Sequence, residues 1–204
     1  MEDAIKWSDI TEGRECAYRL LYERFSDLLY GYGMKIVADE AMVVDAIQSL
    51  FMNIFEKRKR LAAPGSVAAY LCRSLKNILI NEMNSVAVRR RDEYNDASAA
   101  DYDFELELDA ECAMIANENE RERYRLFQEE LNKLSRQQRE MLYLRYYKGL
   151  EIEEIAKILD VSKRTVYNTT NNAIARLREN KVLTQYFSKE AMIMLLCLCD
   201  FYVF

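Results

Sequence analysis

The 204-residue sequence contains no histidine, one proline and five glycines. Histidine is the commonest general base and metal ligand, so its absence disfavours both an enzyme and a metal site. The five cysteines include no Cys-x-x-Cys pair, which further disfavours bound zinc. Because proline and glycine are scarce, few positions break a helix, and the composition predicts an all-α protein with short connections. We therefore expect no catalytic residue, no metal and no cofactor.

A secretory signal and a membrane-spanning run are also lacking. The first ten residues, MEDAIKWSDI, are acidic and contain no apolar core of a signal peptide. No stretch reaches the roughly 18 apolar residues of a spanning helix. These absences predict a cytoplasmic protein. The net charge of −5 at pH 7 gives no long-range attraction to nucleic acid, so DNA binding would depend on local basic patches.

The first predicted domain covers residues 1–91. Three segments between Ser8 and Arg91 repeat apolar residues at three- and four-residue spacing, which predicts amphipathic helices. Pro64 and Gly65 mark a turn, and Ser66 is the expected N-cap of the third helix. The apolar stripe of the second helix consists of Val43, Ala46, Ile47, Leu50, Phe51 and Ile54.

Residues 92–120 form a predicted acidic linker. The segment contains no lysine or arginine and lacks sustained periodicity until its end. Its composition is typical of a solvated linker. A second interpretation is an acidic mimic that shields basic DNA-binding surfaces until a partner displaces it, and the two are compatible.

The second predicted domain covers residues 121–182. Helices are predicted over Arg123–Lys133, Arg136–Lys148, Ile152–Leu159 and 162–178, with Gly149 closing the second of them. The turn LDVS separates the last two helices, with Asp160 as the expected left-handed residue and Ser162 as the N-cap. Helix, short turn and helix is the layout of helix-turn-helix DNA-binding proteins.

The last of these helices has two contrasting faces. Val166, Thr170, Ala173, Ile174 and Leu177 form the predicted core stripe. The opposite face carries asparagines, which can read adenine edges, and cations, which can neutralise phosphates. A solvent-exposed polar helix is the alternative, although Glu, Lys and Gln would form a more stable one. The predicted DNA contacts are Lys163, Arg164, Thr165, Tyr167, Asn168, Asn171, Asn172 and Arg176.

The stretch from Leu131 to Glu179 resembles region 4 of bacterial sigma factors of the sigma-70 family. The matching motifs lie at Leu131–Leu134, Gln138–Leu142, Gly149–Ala156, Val161–Val166 and Ala173–Arg178. In the first domain, VDAIQSLFMNIFEKR resembles the region 2 helix that meets the clamp coiled coil of RNA polymerase. AAYLCRSLKNILINEMNSVAVRRR resembles the helix that meets the −10 promoter element. Two such regions with little between them resemble the extracytoplasmic-function subgroup, which lacks the large region 3.

The resemblance implies a subunit that joins core RNA polymerase and directs it to promoter DNA, with no small-molecule substrate. It places the 162–178 helix at the −35 element and the 66–91 helix at the −10 element. The implied −10 contacts are Arg60, Ser66, Tyr70, Arg73, Lys76, Asn77, Asn81, Arg89, Arg90 and Arg91. The implied polymerase contacts are Asp45, Gln48, Ser49, Met52 and Asn53, whereas the stripe of Ile47, Leu50, Phe51 and Phe55 is expected in the core.

The sequence departs from the family's pattern at a few positions. Ser135 replaces a frequent proline and Asp160 a frequent glycine, while Val44 and Ser49 stand where acidic residues are usual. Asn171, Asn172 and Thr169 occupy positions where relatives often carry Arg, His or aromatic residues. The resemblance therefore implies a −35 reader with its own sequence preference.

Residues 183–204 form a very apolar tail that ends in AMIMLLCLCDFYVF. Such a segment is too apolar to be left in water, so we expect a helix packed against one of the domains. The alternatives are a dimer contact, a docking surface for an anti-sigma factor, or a membrane-surface anchor. The alternative for the whole chain is a free-standing helix-turn-helix transcriptional regulator, which would not need the region 2-like helices.

Overall fold

The computed structural model describes residues 6–91, 102–106 and 118–179, and the chain divides into two units between Asp103 and Phe104. Every regular element within these ranges is helical, which confirms the predicted all-α class with two helical domains. No helix among the described residues combines the length and the apolar character needed to cross a bilayer. The tail at 183–204 lies outside the described residues.

The first unit is a bundle of three long helices with a short one at its start. Its elements are α1 (Trp7–Glu12), α2 (Glu15–Ile36), α3 (Glu40–Lys57), a 3-10 turn (Arg58–Arg60) and α4 (Val67–Arg91). Helices α2, α3 and α4 pack against one another in all three pairings. Of the stripe predicted on α3, Phe51 is half-buried, and the other five residues are buried as expected.

Local signals set the ends and the spacing of these helices. Asp39 accepts a hydrogen bond from the Met42 amide at 3.1 Å and so caps α3. Ser66 accepts one from the Ala69 amide at 3.1 Å, which confirms it as the N-cap of α4. A Cβ on Gly33 would lie 2.8 Å from Val43 Cγ1, so glycine at this position allows α2 and α3 to approach closely.

The second unit contains four α-helices and one widened turn. They are α5 (Glu118–Asn132), α6 (Arg136–Leu142), a π-helical turn (Tyr143–Tyr147), α7 (Ile152–Leu159) and α8 (Lys163–Glu179). Helix α8 packs on both α6 and α7. The helix predicted over Arg136–Lys148 continues through Tyr147, but its turns widen to π geometry after Leu142. The wider turn accommodates the stacked rings of Tyr143 and Tyr147, whose centroids are 5.3 Å apart. Gly149 then follows with φ +62°, as predicted for the residue that closes it.

Residues 104–106, which we call the strap, are part of the second unit. Phe104 is fully buried and meets the Tyr143 ring edge to face, with 5.4 Å between centroids. The Leu106 side chain is 1% exposed, and its carbonyl accepts a hydrogen bond from Gln128. The prediction of a solvated linker was therefore wrong for these residues. The physical reason is a period-two pattern that places apolar side chains on one side and Glu105 on the other.

A buried arginine joins the strap to the helices. Arg139 is 8% exposed, and its Nε donates to the carbonyl oxygen of Phe104 at 2.7 Å. Its Nη1 donates to the carbonyl oxygens of Asn132 and Leu134, both at 2.9 Å. These two carbonyls lie at the end of α5 and just after it, where a helix leaves acceptors without internal partners. One guanidinium therefore links the strap, the end of α5 and the body of α6.

We predict that Phe104→Ala will destabilise the second unit by about 3–5 kcal/mol, because it removes a large buried ring. Hydrogen exchange of the α6 amides in the full chain will measure the loss in opening free energy. Glu105→Ala, an exposed neighbour on the same strap, is the matched control and should change it by less than about 0.5 kcal/mol. If Phe104→Ala lowers the opening free energy by as little as Glu105→Ala does, the strap is not part of the core.

Candidate nucleic-acid interface

The turn between α7 and α8 has the predicted backbone conformation. Asp160 adopts φ 56° and ψ 46°, and it is the only non-glycine residue with positive φ among those the structure describes. The amides of Asp160 and Val161 both donate to the Ala156 carbonyl, the latter at 3.0 Å. Aspartate is among the few side chains that tolerate this left-handed region. The turn confirms the helix-turn-helix arrangement, because it ends α7 at Leu159 and allows α8 to begin at Lys163.

Ser162 caps α8, as predicted. Its Oγ accepts a hydrogen bond from the Thr165 amide at 3.0 Å and lies 2.8 Å from the Thr165 hydroxyl oxygen. Thr165 is half-buried, and its hydroxyl is already engaged with Ser162. Of the predicted DNA contacts on α8, Thr165 is therefore the least available.

The residues that α8 buries are those that the sequence predicts. All five residues of the predicted stripe are buried. The one polar member is Thr170. Its hydroxyl donates a hydrogen bond to the Val166 carbonyl at 2.8 Å, so this buried donor is satisfied. Because this side packs on α6 and α7, the opposite side of α8 is directed away from the unit's core.

The other seven predicted DNA contacts are all exposed, and six of them lie on that opposite side or its flanks. The seventh, Lys163, lies at the bearing of the core stripe and is exposed because it begins the helix. At about 100° per residue, Arg164, Asn168 and Asn171 fall within an arc of about 60° at the centre of the opposite side. Tyr167 lies on one flank and is 57% exposed, an unusual position for a large aromatic ring. Asn172 and Arg176 lie on the other flank.

One partner of this surface was not anticipated from the sequence. Lys163 Nζ lies 2.8 Å from Glu153 Oε1, so the first residue of α8 is ion-paired with the first turn of α7. The hydrogen bond from Lys163 lowers the pKa of the Glu153 carboxyl below its ordinary value. The sequence signal for this pair was an acidic residue, Glu153, near the start of α7, because the turn brings α7 and α8 close together.

A second polar surface lies on α4. At about 100° per residue, Tyr70, Arg73, Asn77 and Asn81 fall within an arc of about 80° opposite the buried residues of the helix. Arg73, Asn77 and Asn81 are exposed, and Tyr70 is half-buried beside Trp7, with 5.8 Å between ring centroids. The structure therefore brings together four of the predicted −10 contacts.

The remaining −10 candidates are placed differently. Lys76 is half-buried, off the arc of the other four, with its Nζ 5.3 Å from the centre of the Tyr102 ring. Ser66 is used as the cap of α4, and Arg60 is exposed in the 3-10 turn. The side chains of the arginine cluster lie outside the described residues, although helix α4 reaches them: Arg89, Arg90 and Arg91.

The outer face of α3 carries the predicted polymerase contacts. Asp45, Gln48, Met52 and Asn53 are exposed, and Ser49 is half-buried. Met52 is 63% exposed, which is a high value for an apolar side chain.

The prediction that Phe55 belongs to the core was wrong, since it is 48% exposed. Its ring lies 5.3 Å from that of Tyr18, and the Arg58 guanidinium carbon lies 4.3 Å from its centre. Tyr22, 50% exposed, adds a further ring against Phe51 at 5.2 Å. Apolar surface therefore borders the predicted polymerase contacts on α3. Sequence periodicity does not indicate this feature, because it does not distinguish a core stripe from an exposed apolar patch.

Two family models match the chain. The model described as Sigma-70 region 2 matches residues 21–92, and the one described as Sigma-70, region 4 matches residues 124–177. The first match covers α3 and α4 with their polar faces, and the second covers the helix-turn-helix. No curated protein sequence matches the chain.

Solved structures with a similar fold include the following two. CnrH, in complex with the cytosolic domain of CnrY, is 19% identical with a TM-score of 0.54, and the match covers 89% of this chain and 96% of that chain. The sigma factor RpoE from Bartonella quintana, in complex with the anti-sigma factor NepR, is 19% identical with a TM-score of 0.53, covering 84% of this chain and 98% of that chain. At such identity the likeness concerns the fold alone.

We predict that Asp160→Ala will be less stable than Asp160→Gly by about 1 kcal/mol. Both variants remove the carboxylate equally, but only alanine brings a Cβ that disfavours the left-handed conformation. Hydrogen exchange of the α7 and α8 amides in the full chain measures the difference. If the alanine variant is as stable as the glycine variant, the left-handed turn is not a constraint on this unit.

Proposed function

Because the chain belongs to the sigma-70 family, we propose that it is a sigma factor of the extracytoplasmic-function type, which binds core RNA polymerase and directs promoter-specific transcription initiation. The observation that carries this proposal is the presence of both regions in one chain, separated only by residues 93–123. A separation this short leaves no room for a large region 3.

The proposed −35 reader is the exposed face of α8. In helix-turn-helix proteins the second helix enters the major groove with its N-terminal residues near base edges. Asn168 and Asn171 lie at the centre of the exposed face, and an asparagine amide can bond both N6 and N7 of adenine. Arg164 and Arg176 can reach phosphates, which position the helix without reading sequence. We therefore expect adenines in the −35 element.

The proposed −10 contact surface is the polar side of α4. Holding a base outside the stack costs a few kcal/mol, which aromatic and amide contacts can offset in part. Tyr70 offers a partly exposed ring, while Asn77 and Asn81 offer amides on the same side. Arg73 adds a cation to the same arc for the phosphate backbone.

The proposed polymerase contact is the outer face of α3. Protein interfaces combine an apolar centre with a polar rim, and Met and aromatic residues are enriched at their centres. Met52 and Phe55 supply the apolar part, while Asp45, Gln48 and Asn53 supply polar groups beside it. An anti-sigma factor is a further proposed partner, because RpoE, which shares the fold, is bound to one.

Mixing the protein with core polymerase and mapping transcription starts on genomic DNA tests the proposed function. We expect the protein to bind the core enzyme and to yield starts preceded by a shared pair of promoter elements. A protein that binds duplex DNA but neither binds core polymerase nor changes its starts would instead be a free-standing helix-turn-helix regulator. The region 2 match is the observation that favours the sigma factor over that alternative.

We predict that Asn171→Ala will relax base preference at one position of the −35 element by about 1–3 kcal/mol. The reason is the loss of an amide that reads a base edge. Binding of the reconstituted holoenzyme to a set of single-base −35 variants measures the preference.

Arg176→Ala is the contrasting variant for the same assay. Loss of a phosphate contact should weaken binding to all sequences alike and reduce the slope of log affinity against log salt by about 1. A uniform loss for Asn171→Ala as well would reassign that asparagine to the phosphate backbone.

A further inference from the structure

The start of the helix-turn-helix carries three carboxylates with different partners. The Glu151 carboxylate receives a hydrogen bond from Arg145 Nη1 at 3.0 Å. The Glu154 carboxylate accepts from the Glu151 backbone amide at 2.9 Å, completing a capping box at the start of α7. Glu153 instead reaches α8 and pairs with Lys163 at 2.8 Å. Of the three, only Glu153 engages a cation of the proposed DNA-reading helix.

Lys163 differs from the other cations among the predicted DNA contacts of α8. Among the residues the structure describes, Arg164 and Arg176 make no ion pair, whereas Lys163 does. Lys163 is also the first residue of α8, at the helix end that carries a positive partial charge. A lysine there is electrostatically unfavourable by itself, and the Glu153 carboxylate offsets the crowding of positive charge with Arg164.

From this arrangement we propose that Glu153 is an intramolecular competitor for DNA phosphate. It occupies the Lys163 ammonium at the helix end that approaches DNA, so a phosphate must displace the carboxylate before this lysine can contribute. The inference rests on the proposed function, since it concerns the duplex-binding face of α8. The lowered pKa of the Glu153 carboxyl agrees with it, because the same pairing keeps this group charged.

The competition has a defined signature in salt dependence. Each phosphate neutralised by a protein cation adds about −0.9 to the slope of log affinity against log salt. Releasing Lys163 should therefore steepen the slope by about 0.9. Since phosphate contacts carry no sequence information, affinity should rise by the same factor for promoter and random duplexes.

The test compares Glu153→Gln with the unaltered full chain in duplex binding over a range of salt concentrations. We expect binding about 1.4- to fivefold tighter, the range that corresponds to one exposed ion pair, together with the steeper slope. The gain should disappear when the same change is made in a Lys163→Gln background. Circular dichroism of each variant verifies that the helices are retained.

Glu179→Gln is the matched control. It also removes one negative charge from the helix-turn-helix, but Glu179 lies at the other end of α8 and does not pair with Lys163. Its effect should be the same with and without Lys163. If Glu153→Gln gives an equal gain in both backgrounds, a general charge effect overturns the proposal. A loss of affinity, or no change, overturns it too, since Glu153 would then orient Lys163 for DNA or play no part.

The two proposals fail separately. Duplex binding by the full chain decides the role of Glu153 without polymerase, whereas binding to core polymerase and start-site mapping decide the sigma function.

Discussion

The hydrogen bonds of Arg139 are the interaction on which the second unit depends. A buried guanidinium is costly unless its donors are satisfied, and here they bind carbonyls of the strap, of α5 and of the connection that follows α5. Those bonds hold α6 in place, and α6 is one of the two helices on which α8 packs. The orientation of the proposed DNA face therefore depends in part on the contacts that fix α6.

Both proposed DNA surfaces expose asparagine side chains on a helix. Asparagine is a poor helix former, yet Asn77 and Asn81 on α4 and Asn168 and Asn171 on α8 are exposed on regular helices. An amide offers both a donor and an acceptor without charge, so it distinguishes base edges but adds little to binding of phosphate. In the proposed function, these amides would contribute selection among sequences more than general attraction to DNA.

Local chemistry made much of this fold predictable. The N-caps at Ser66 and Ser162, the left-handed residue at Asp160 and the apolar stripe of α8 depend on neighbours within a few positions, and each was found as predicted. The strap was missed because its contact with Arg139 joins residues 35 positions apart. The Lys163–Glu153 pair was missed because it joins the starts of two helices across the turn, a contact that periodicity within one helix does not reveal. The exposure of Phe55 was missed for a related reason, since periodicity identifies an apolar side chain but not the absence of a neighbour over it.

The acidity of the chain is compatible with DNA binding because charge is distributed unevenly along it. The strap contacts α5 through Gln128, α6 through Arg139 and the π-helical turn through Tyr143, while the proposed DNA face of α8 is exposed. Residues 104–106 therefore do not act as the acidic shield considered for the linker. Beyond about a Debye length, roughly 8 Å at physiological salt, the charges elsewhere in the chain are largely screened. In the proposed function, a phosphate approaching the start of α8 would meet Lys163, Arg164 and the Glu153 carboxylate paired with Lys163.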